Sequence, residues 1–201
     1  MPLSAVIRPT RIPNLSLVPA DADLAGAEVE LVELASRERR LRDALHASPQ
    51  QLGSFDYVFL DCPPSLGLLT LNALVAAEAV LVPLQCEFFA LEGVSQITQT
   101  IERVRRALNP DLSLEGIVLT MHDRRNNLSE AVAQDVRGFF KDKVFETVIP
   151  RNIRISEAPS HGLPVTLYDF RSPGAQAYIR LAAEFRRRDR AAVATRSRAP
   201  A

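Results

Sequence analysis

The sequence of 201 residues is poor in glycine and lysine, the two residue types that a phosphate-binding loop needs. Its eight glycines are never closer together than twelve residues, and its only lysines are Lys141 and Lys143. A loop that wraps backbone amides around phosphate and ends in Gly-Lys-Ser or Gly-Lys-Thr is therefore excluded from these residues.

Cysteine and long apolar runs are also scarce. Cys62 and Cys86 have no metal-ligand spacing, which argues against a cysteine or histidine metal site and indicates a reduced, cytoplasmic protein. No run approaches the roughly eighteen apolar residues of a membrane span, and the start has no signal-peptide segment. With 47% apolar residues, positions 1–190 are predicted to form one domain, followed by a polar, disordered tail at 191–201.

Net charge is zero, but the two halves of the sequence differ. Residues 1–100 contain 12 acids and 6 arginines, whereas residues 101–201 contain 12 acids and 18 basic residues. A basic half fits a partner with a phosphate backbone. Solvated helix faces with a basic tail also explain it, and charge alone favours this second interpretation.

Apolar runs typical of buried strands alternate with helical patterns from residue 57 onward. The predicted strands are 57–61, 79–84, 115–120 and 144–149, and the predicted helices are 66–77, 91–108, 127–140 and 173–190. This alternation predicts an α/β fold, with a parallel sheet flanked by helices on both faces. Before it we expect an edge strand within 15–18, helices from Asp21 or Asp23 to Leu34 and at 36–47, and a loop at 48–54.

The strand predicted at 57–61 ends in Asp61, and Pro63-Pro64 stops any further ladder. A carboxylate at the carboxyl end of such a strand is where nucleotide enzymes hold Mg²⁺; the alternative is a polar residue that merely ends a strand. Cys62 and Ser65 suggest a nucleophile, but no histidine is close in sequence. Cys62 is therefore interpreted as a small, buried residue, and no role is assigned to His46 or His161.

Five ordered segments carry a resemblance to a known family. They are Leu-Ala-Gly-Ala-Glu-Val-Glu-Leu (24–31), Asp-Cys-Pro-Pro-Ser-Leu-Gly-Leu-Leu-Thr (61–70), Pro-Leu-Gln-Cys-Glu-Phe-Phe-Ala-Leu-Glu-Gly (83–93), Val-Ile-Pro-Arg-Asn (148–152) and Ser-Glu-Ala-Pro-Ser-His-Gly (156–162). Over roughly residues 14–186 they closely resemble the ParA/Soj family of chromosome- and plasmid-partitioning ATPases, P-loop proteins of the deviant Walker class.

The resemblance implies a P-loop NTPase-type fold that aligns from the family's third strand onward. About 70 residues of strand, Walker A loop, helix and strand have no counterpart in this sequence. We therefore expect a sheet that lacks the first two strands and the P-loop, and a segment 57–61 without its family neighbours.

Intact family members bind ATP and Mg²⁺, dimerise, bind DNA non-specifically and segregate replicated DNA with a ParB-type partner that stimulates hydrolysis. The resemblance implies a cytoplasmic, nucleoid-associated ParA-type protein. Without Walker A, this chain is expected to be inactive as an ATPase on its own and not to bind ATP and Mg²⁺ productively. The alternative is a nucleotide-independent module that binds DNA or a protein partner.

The resemblance also implies nucleotide-site residues. Asp61 holds Mg²⁺ through water in the family, and Gln85, Glu87 and Glu92 line the same sheet edge, with Glu87 or Glu92 as a candidate general base. Pro150 and Asn152 match the base-contacting segment. A plain strand-to-helix turn capped by Asn152 is an equal alternative.

Two further positions match DNA-binding arginines of the family, Arg125 and Arg154. Arginine suits phosphate because its charge is permanent and its donors reach two oxygens at once. The alternative is that both are solvated surface residues.

Overall fold

The computed structural model describes residues 3–21, 23–63 and 65–196. The chain divides into two compact units, one formed by Met1–Val80 with Thr100–Ser113 and the other by Leu81–Gln99 with Leu114–Ala201. Each unit is described separately below. Among the described residues, no helix combines the length and apolarity needed to cross a membrane.

The first unit is mainly helical. A short antiparallel hairpin pairs β1 (Arg8–Pro9) with β2 (Ser16–Leu17), which confirms the edge strand expected within 15–18. The helices that follow are α1 (Asp23–Leu31), α2 (Arg40–His46), α3 (Pro49–Leu52) and α4 (Leu68–Ala76). The segment expected to be a loop at 48–54 thus contains a helical turn, because Pro49 occupies the first position of α3, where its missing amide costs nothing.

Two buried asparagines fasten the helices of this unit. Asn72 donates from Nδ2 to the carbonyl oxygen of Arg37 at 2.8 Å and accepts the amide of Leu41 at 3.1 Å. Asn109 donates to the carbonyl oxygens of Leu74 and Ala77 at 3.0 and 2.7 Å. Both side chains therefore form hydrogen bonds with backbone groups near helix ends, where such groups lack partners within the helix.

The second unit carries the sheet. Its main elements are β3 (Ala79–Gln85), α5 (Ala90–Ala107), β4 (Ser113–Thr120), α6 (Asn127–Phe140), α7 (Ile153–Glu157), α8 (Val165–Tyr168) and α9 (Pro173–Arg196); β3, β4 and α5 begin or end in the first unit. Strands β3 and β4 are neighbours, and bonds from Ser113 N to Glu78 O and from Cys86 N to Thr120 O fix a parallel register. The parallel α/β prediction is confirmed.

Strand residues alternate between two apolar clusters on opposite faces of the sheet. Ile117 and Leu119 pack with Val94 of α5 and Val136 of α6, whereas Val118 packs with Ala177 of α9. This period of two follows from the pleat of a strand. The sheet of the second unit is therefore covered by helices on both faces.

The strand predicted at 144–149 is interrupted. Val144 and Pro150 form parallel bridges to Ile117 and His122, but the residues between them form no continuous strand. The amides of Glu146 and Thr147 donate instead to the carboxylate of Glu184 on α9, at 2.8 and 2.9 Å. The Glu184 carboxylate thus accepts two backbone hydrogen bonds that would otherwise be available for pairing with a neighbouring strand.

The prediction of a buried strand at 57–61 is wrong for this structure. Tyr57, Val58 and Phe59 are 40%, 52% and 71% exposed, and the segment is irregular. An apolar run forms a strand only where another backbone pairs with it. At the other end, α9 continues to Arg196, into the segment predicted to be a tail; residues 197–201 lie outside the described residues, and the single-domain boundary at 190 stays a prediction.

Candidate functional site

In the second unit, three parallel segments end at one edge of the sheet. Cys86 N donates to Thr120 O, His122 N donates to Ile149 O, and Arg151 N donates to His122 O. Residues 144–150, which are joined to β4 and His122 by the two isolated bridges, are called the bridge segment. The polar residues that follow β3, β4 and the bridge segment are thereby brought together. In an α/β sheet this carboxyl edge is the usual place for a ligand site.

A cleft of about 450 Å³ opens at this edge. Its walls are Cys86, Glu87, Phe88, Met121, Asp123, Asn126, Leu128, Ser129 and Arg151. Arg151 Nη2 lies 3.8 Å from Glu87 Oε1, so the candidate base faces a cation across the cleft. Gln85 is exposed at the end of β3 and is not among the residues of the wall.

Ser129 ties the strand ends to helix α6. Its buried hydroxyl donates to Cys86 O at 3.1 Å and accepts from Asp123 N at 3.4 Å. Met121, beside Asp123, has φ 53°, a left-handed conformation that non-glycine residues seldom adopt and that is often stored at functional sites. Sequence reasoning missed Ser129, because a lone serine in the first turn of a helix carries no distinguishing pattern.

Arg125 is held by Asp123. Arg125 Nε and Nη2 donate to the two carboxylate oxygens at 3.1 and 3.0 Å, and Arg125 N donates to Oδ1 at 3.0 Å. The side-chain hydrogen bond from Arg125 is the main cause that lowers the pKa of Asp123 to about 2, and the same bond raises the pKa of Arg125. This arginine therefore belongs to a bidentate ion pair.

Arg154 is also paired. Its Nη1 donates to Glu157 Oε2 at 2.8 Å, its Nε lies 3.3 Å from Asp169 Oδ2, and Tyr168 Oη donates to the same Glu157 oxygen at 3.2 Å. The hydrogen bond from Arg154 lowers the pKa of Glu157. One guanidinium thus faces two carboxylates.

Asn152 is the N-cap of α7. Its side-chain oxygen accepts from Arg154 N at 3.1 Å, as the cap interpretation expects. A Cβ on Gly174 would come within 2.7 Å of Ile155 and 3.3 Å of Asn152 Oδ1, so that glycine allows α9 to pack closely there. The Asn152 amide nitrogen takes no part in the cap, and its contact with a base stays a prediction, as does that of Pro150.

His122 is a further residue that sequence reasoning missed. Its side chain is 9% exposed, and Nε2 lies 3.3 Å from Glu130 Oε2. No group of three or more potential metal ligands occurs in the described part of the chain. His122 therefore serves as a buried partner of Glu130 at the junction of β4 with the bridge segment.

A second cleft of about 710 Å³ lies on the same unit. Its walls are His122, Asp123, Arg124, Arg125, Glu130, Ala133, Arg137, Val148, Pro150, Arg151, Asn152, Pro173 and Arg180. Five arginines stand against two carboxylates. The cleft is therefore basic, and it contains one of the two arginines predicted to bind DNA.

Asp61 lies in the first unit, exposed in the irregular segment after Phe59. Cys62 beside it is exposed, which corrects the expectation of a buried residue; the cause is the missing strand. Although the residue is exposed, partial desolvation of its thiol, and then the charge of Asp61, raise the pKa of Cys62, so the thiol is not an activated nucleophile. Ser65 is exposed, and its carbonyl oxygen accepts from Thr70 Oγ1 at 2.6 Å.

The remaining candidates are surface residues. Glu92 is exposed in the first turn of α5 and accepts from Gln96 Nε2 at 3.4 Å. His46 ends α2, and the ring of His161 stacks on Tyr168 with centroids 4.8 Å apart. None of these contacts tests the general-base role suggested for Glu87 or Glu92.

The residues present fit ATP and Mg²⁺ only in part. Asn152 retains an amide group for a base, but a phosphate cradle needs consecutive amides or a lysine. Lys143 Nζ donates to Leu114 O at 3.1 Å. The polar side chains of the 450 Å³ cleft are two carboxylates, one asparagine, one serine and one arginine. The described residues therefore do not fit the polyphosphate of ATP.

Comparison with known proteins defines the class of fold first. A family model described as an AAA domain matches residues 1–114. The MinD protein of Pyrococcus horikoshii, solved with Mg-ADP, superposes with a TM-score of 0.71 at 24% identity and covers 92% of this chain and 68% of its own. A Mycobacterium smegmatis structure described as cobyrinic acid a,c-diamide synthase with ADP and magnesium gives 0.69 at 42% identity, covering 87% and 62%. The fold is that of the MinD/ParA-type P-loop NTPases.

The curated relatives define the family. The chromosome partitioning protein ParA of Caulobacter vibrioides is 60% identical over 187 residues, which cover 92% of this chain and 70% of the relative. The sporulation initiation inhibitor protein Soj of Bacillus subtilis is 54% identical over 179 residues, covering 89% and 70%. The chain belongs to the ParA/Soj family of chromosome-partitioning proteins, and spans about two thirds of the length of these relatives and structures.

Proposed function

We propose that this protein acts in DNA segregation as a ParA-type partitioning protein that binds DNA without sequence preference. The observation that carries this is a relative of 60% identity described as a chromosome partitioning protein, together with a basic cleft at the carboxyl edge of the sheet. Arginine side chains around a cleft suit the phosphate backbone, which is the same for every sequence.

Different residues are assigned to the base, metal and catalytic parts of the proposed nucleotide site. Pro150 and Asn152 are assigned to the base side of an ATP site, and Gln85 to the sheet edge close to the nucleotide. Asp61 is assigned to Mg²⁺ through water, and Glu87 to the role of general base. Glu87 and Arg151 face one another at 3.8 Å, which supports a polar site at this edge. ATP hydrolysis by the 201-residue chain alone is not part of the proposal, because the polyphosphate has no cradle.

The proposed partners follow from the same family. A ParB-type protein and a second copy of the chain are expected to act with the intact ATP-binding form, and DNA binding implies association with the nucleoid in the cytoplasm. Arg125 and Arg154 are proposed to belong to the DNA-facing surface.

A second candidate function is a nucleotide-independent module that binds DNA or a protein partner. The basic cleft supports it, since all of its residues lie in the second unit and none needs a phosphate loop to hold its position. The two candidates differ in whether ATP and Mg²⁺ change the DNA affinity of the intact ATP-binding form. For the 201-residue chain alone neither candidate expects ATP to change the affinity, because the sequence contains no phosphate-binding loop.

DNA binding is tested with two fluorescent duplexes of unrelated sequence over a range of salt concentrations. The proposal predicts equal affinities for the duplexes, and affinities that fall steeply with salt because phosphate contacts release counterions. A clear preference for one duplex, or no binding at the lowest salt concentration, would contradict it.

A further inference from the structure

Strand β3 is paired along one edge only. The carbonyl oxygen of Glu78 and the amide of Cys86, which flank the strand, both bond to β4, at 3.0 and 3.1 Å. Successive residues of a strand direct their backbone groups to opposite sides. The residues that direct these groups away from β4 are therefore Ala79, Leu81, Pro83 and Gln85. No strand among the described residues pairs with this open edge, so it offers donors and acceptors to another backbone.

Apolar side chains border the open edge on both faces of the sheet. Leu81 packs with the cluster that contains Val118 and Ala177, whereas Val82 and Leu84 pack with the cluster that contains residues of α5 and α6. Helices therefore cover both faces of β3, as they cover both faces of β4. Parallel strands covered in this way normally lie inside a sheet. The open edge of β3 thus suits a further apolar strand.

Pro83 restricts what can occupy the open edge. It is exposed in the middle of the edge and has no amide hydrogen to donate. A second copy related by a two-fold axis would pair with β3 in the antiparallel direction, and one donor would be missing in each copy. A parallel strand of another segment loses only one bond. Since proline on an edge strand hinders self-pairing, the edge favours a parallel strand of different sequence over a second copy.

The curated relatives indicate a source for such a strand. The 187 matched residues cover 70% of the ParA protein of Caulobacter vibrioides, so part of that relative has no counterpart in this chain. The family resemblance implies that this part contains two strands and the Walker A loop. The present sequence has no phosphate-binding loop, and its described residues leave a strand edge unpaired. The two pieces are therefore complementary.

We propose that the open edge of β3 binds, in the parallel direction, a strand of a separate ParA/Soj-type segment that carries the Walker A loop. The inference rests on the proposed function, because it names the partner that supplies the missing phosphate cradle. The bound strand pairs with the amide and carbonyl of Leu81 and with the amide of Gln85. The carbonyl oxygen of Gln85 already accepts from Glu87 N at 2.9 Å. The two chains together hold the polyphosphate of ATP, which the 201-residue chain alone does not.

The experiment uses the full chain and, as the probe, the amino-terminal segment of Caulobacter vibrioides ParA that lies outside the matched residues. A segment of the same composition in scrambled order is the control. Size-exclusion chromatography with light scattering measures the complex, hydrogen exchange follows the amides of Leu81 and Gln85, and a fluorescent ATP analogue with Mg²⁺ reports nucleotide binding. We expect a complex with one copy of each chain, slower exchange at both amides, and nucleotide binding by the complex only.

Two substitutions at Gln85 form a matched pair. Both Gln85→Pro and Gln85→Ala remove an exposed side chain, but only proline also removes the amide that faces the open edge. Gln85→Pro should weaken binding of the segment about fivefold or more, the contribution of one backbone hydrogen bond, whereas Gln85→Ala should change it less than about twofold. Pro83→Val returns a donor to the edge and should increase self-association of the chain. Circular dichroism checks that each variant is folded.

Several results would overturn the inference. They are the absence of a complex with the segment, a complex in which exchange at Leu81 and Gln85 is unchanged, and equal binding by Gln85→Pro and Gln85→Ala. A dimer of the unaltered chain that protects the same two amides would make a second copy the occupant. A complex that binds no ATP analogue would overturn the nucleotide site. DNA binding by the chain alone tests the proposed function separately, so the two can fail independently.

Discussion

Glu184 and Arg188, one turn apart on α9, form an ion pair at 2.8 Å, and both also bind the bridge segment that leads to Pro150. Glu184 is 3% exposed, and its carboxylate accepts hydrogen bonds from the amides of Glu146 and Thr147. Arg188 donates to Asp142 O and Val144 O and lies 4.1 Å from the ring centroid of Phe145. The two side chains thus bind backbone groups that would pair with a neighbouring strand if the strand predicted at 144–149 were continuous.

Glu184→Gln is expected to lower the free energy of unfolding by about 2–4 kcal/mol, because a buried charged acceptor is lost and Arg188 is left without its carboxylate. Urea unfolding followed by circular dichroism measures this. Glu146→Gln removes an exposed carboxylate 3.9 Å from Arg187 and is the matched control, with a change within about 0.5 kcal/mol. Equal effects of the two substitutions would show that Glu184 has no special role.

The same carboxylate gives stability a dependence on pH. Burial alone raises the pKa of Glu184, but hydrogen bonds from Thr147 and Glu146 and the charge of Arg188 outweigh it, so that the pKa falls below its usual 4.5. A group whose pKa is lower in the folded state stabilises above its unfolded pKa, and this contribution is lost as pH falls through the folded pKa. The stability difference between the unaltered chain and Glu184→Gln is therefore expected to be full near neutral pH and to shrink below pH 4.5; a difference that grows there would contradict this.

Gly116 and Gly138 are expected to respond to alanine with opposite signs. A Cβ at Gly116 of β4 would lie 2.6 Å from Phe145 Cε2 and 2.8 Å from Lys143 O, so Gly116→Ala should cost about 1–3 kcal/mol through overpacking. A Cβ at Gly138 of α6 meets nothing within 4 Å, and Gly138→Ala should stabilise by about 0.5–1 kcal/mol through helix propensity. Thermal unfolding of both variants measures the difference, and a stabilised Gly116→Ala variant would contradict the close approach of Phe145.

The Asp123–Arg125 ion pair predicts a measurable titration. Carbonyl NMR should give Asp123 a pKa of about 2. In Arg125→Gln the pKa should rise toward the usual 3.8, because the side-chain hydrogen bond is lost while the backbone bond remains. Arg124→Gln is the matched control and should leave the pKa of Asp123 unchanged. An unperturbed pKa of Asp123 in the unaltered chain would contradict the ion pair between Asp123 and Arg125.

Local patterns predicted much of the second unit. The helices expected at 91–108 and 127–140 are α5 and α6 within one residue at each end, and the strands expected at 79–84 and 115–120 are β3 and β4. Apolar periodicity is sufficient there because β3 and β4 pair with each other and helices pack on both of their faces.

The sequence predictions that failed depend on strand pairing and on contacts between residues far apart in the sequence. The apolar run 57–61 has the pattern of a strand, but a pattern does not supply neighbouring strands, and the segment is exposed. The residues of the candidate site were predicted from family position, whereas the partners of Arg125 and Arg154 depend on side-chain geometry. Ser129 and His122 were missed because single polar residues carry no periodic signal.

The most direct measurement of the central claim is DNA binding by the 201-residue chain with and without saturating ATP and Mg²⁺, with phosphate release recorded in parallel. The account predicts sequence-independent, salt-sensitive binding that is the same in both conditions, and no hydrolysis above background, because the described residues form a basic cleft but no phosphate cradle. DNA binding that requires ATP, or hydrolysis that disappears in Asp61→Ala, would contradict it.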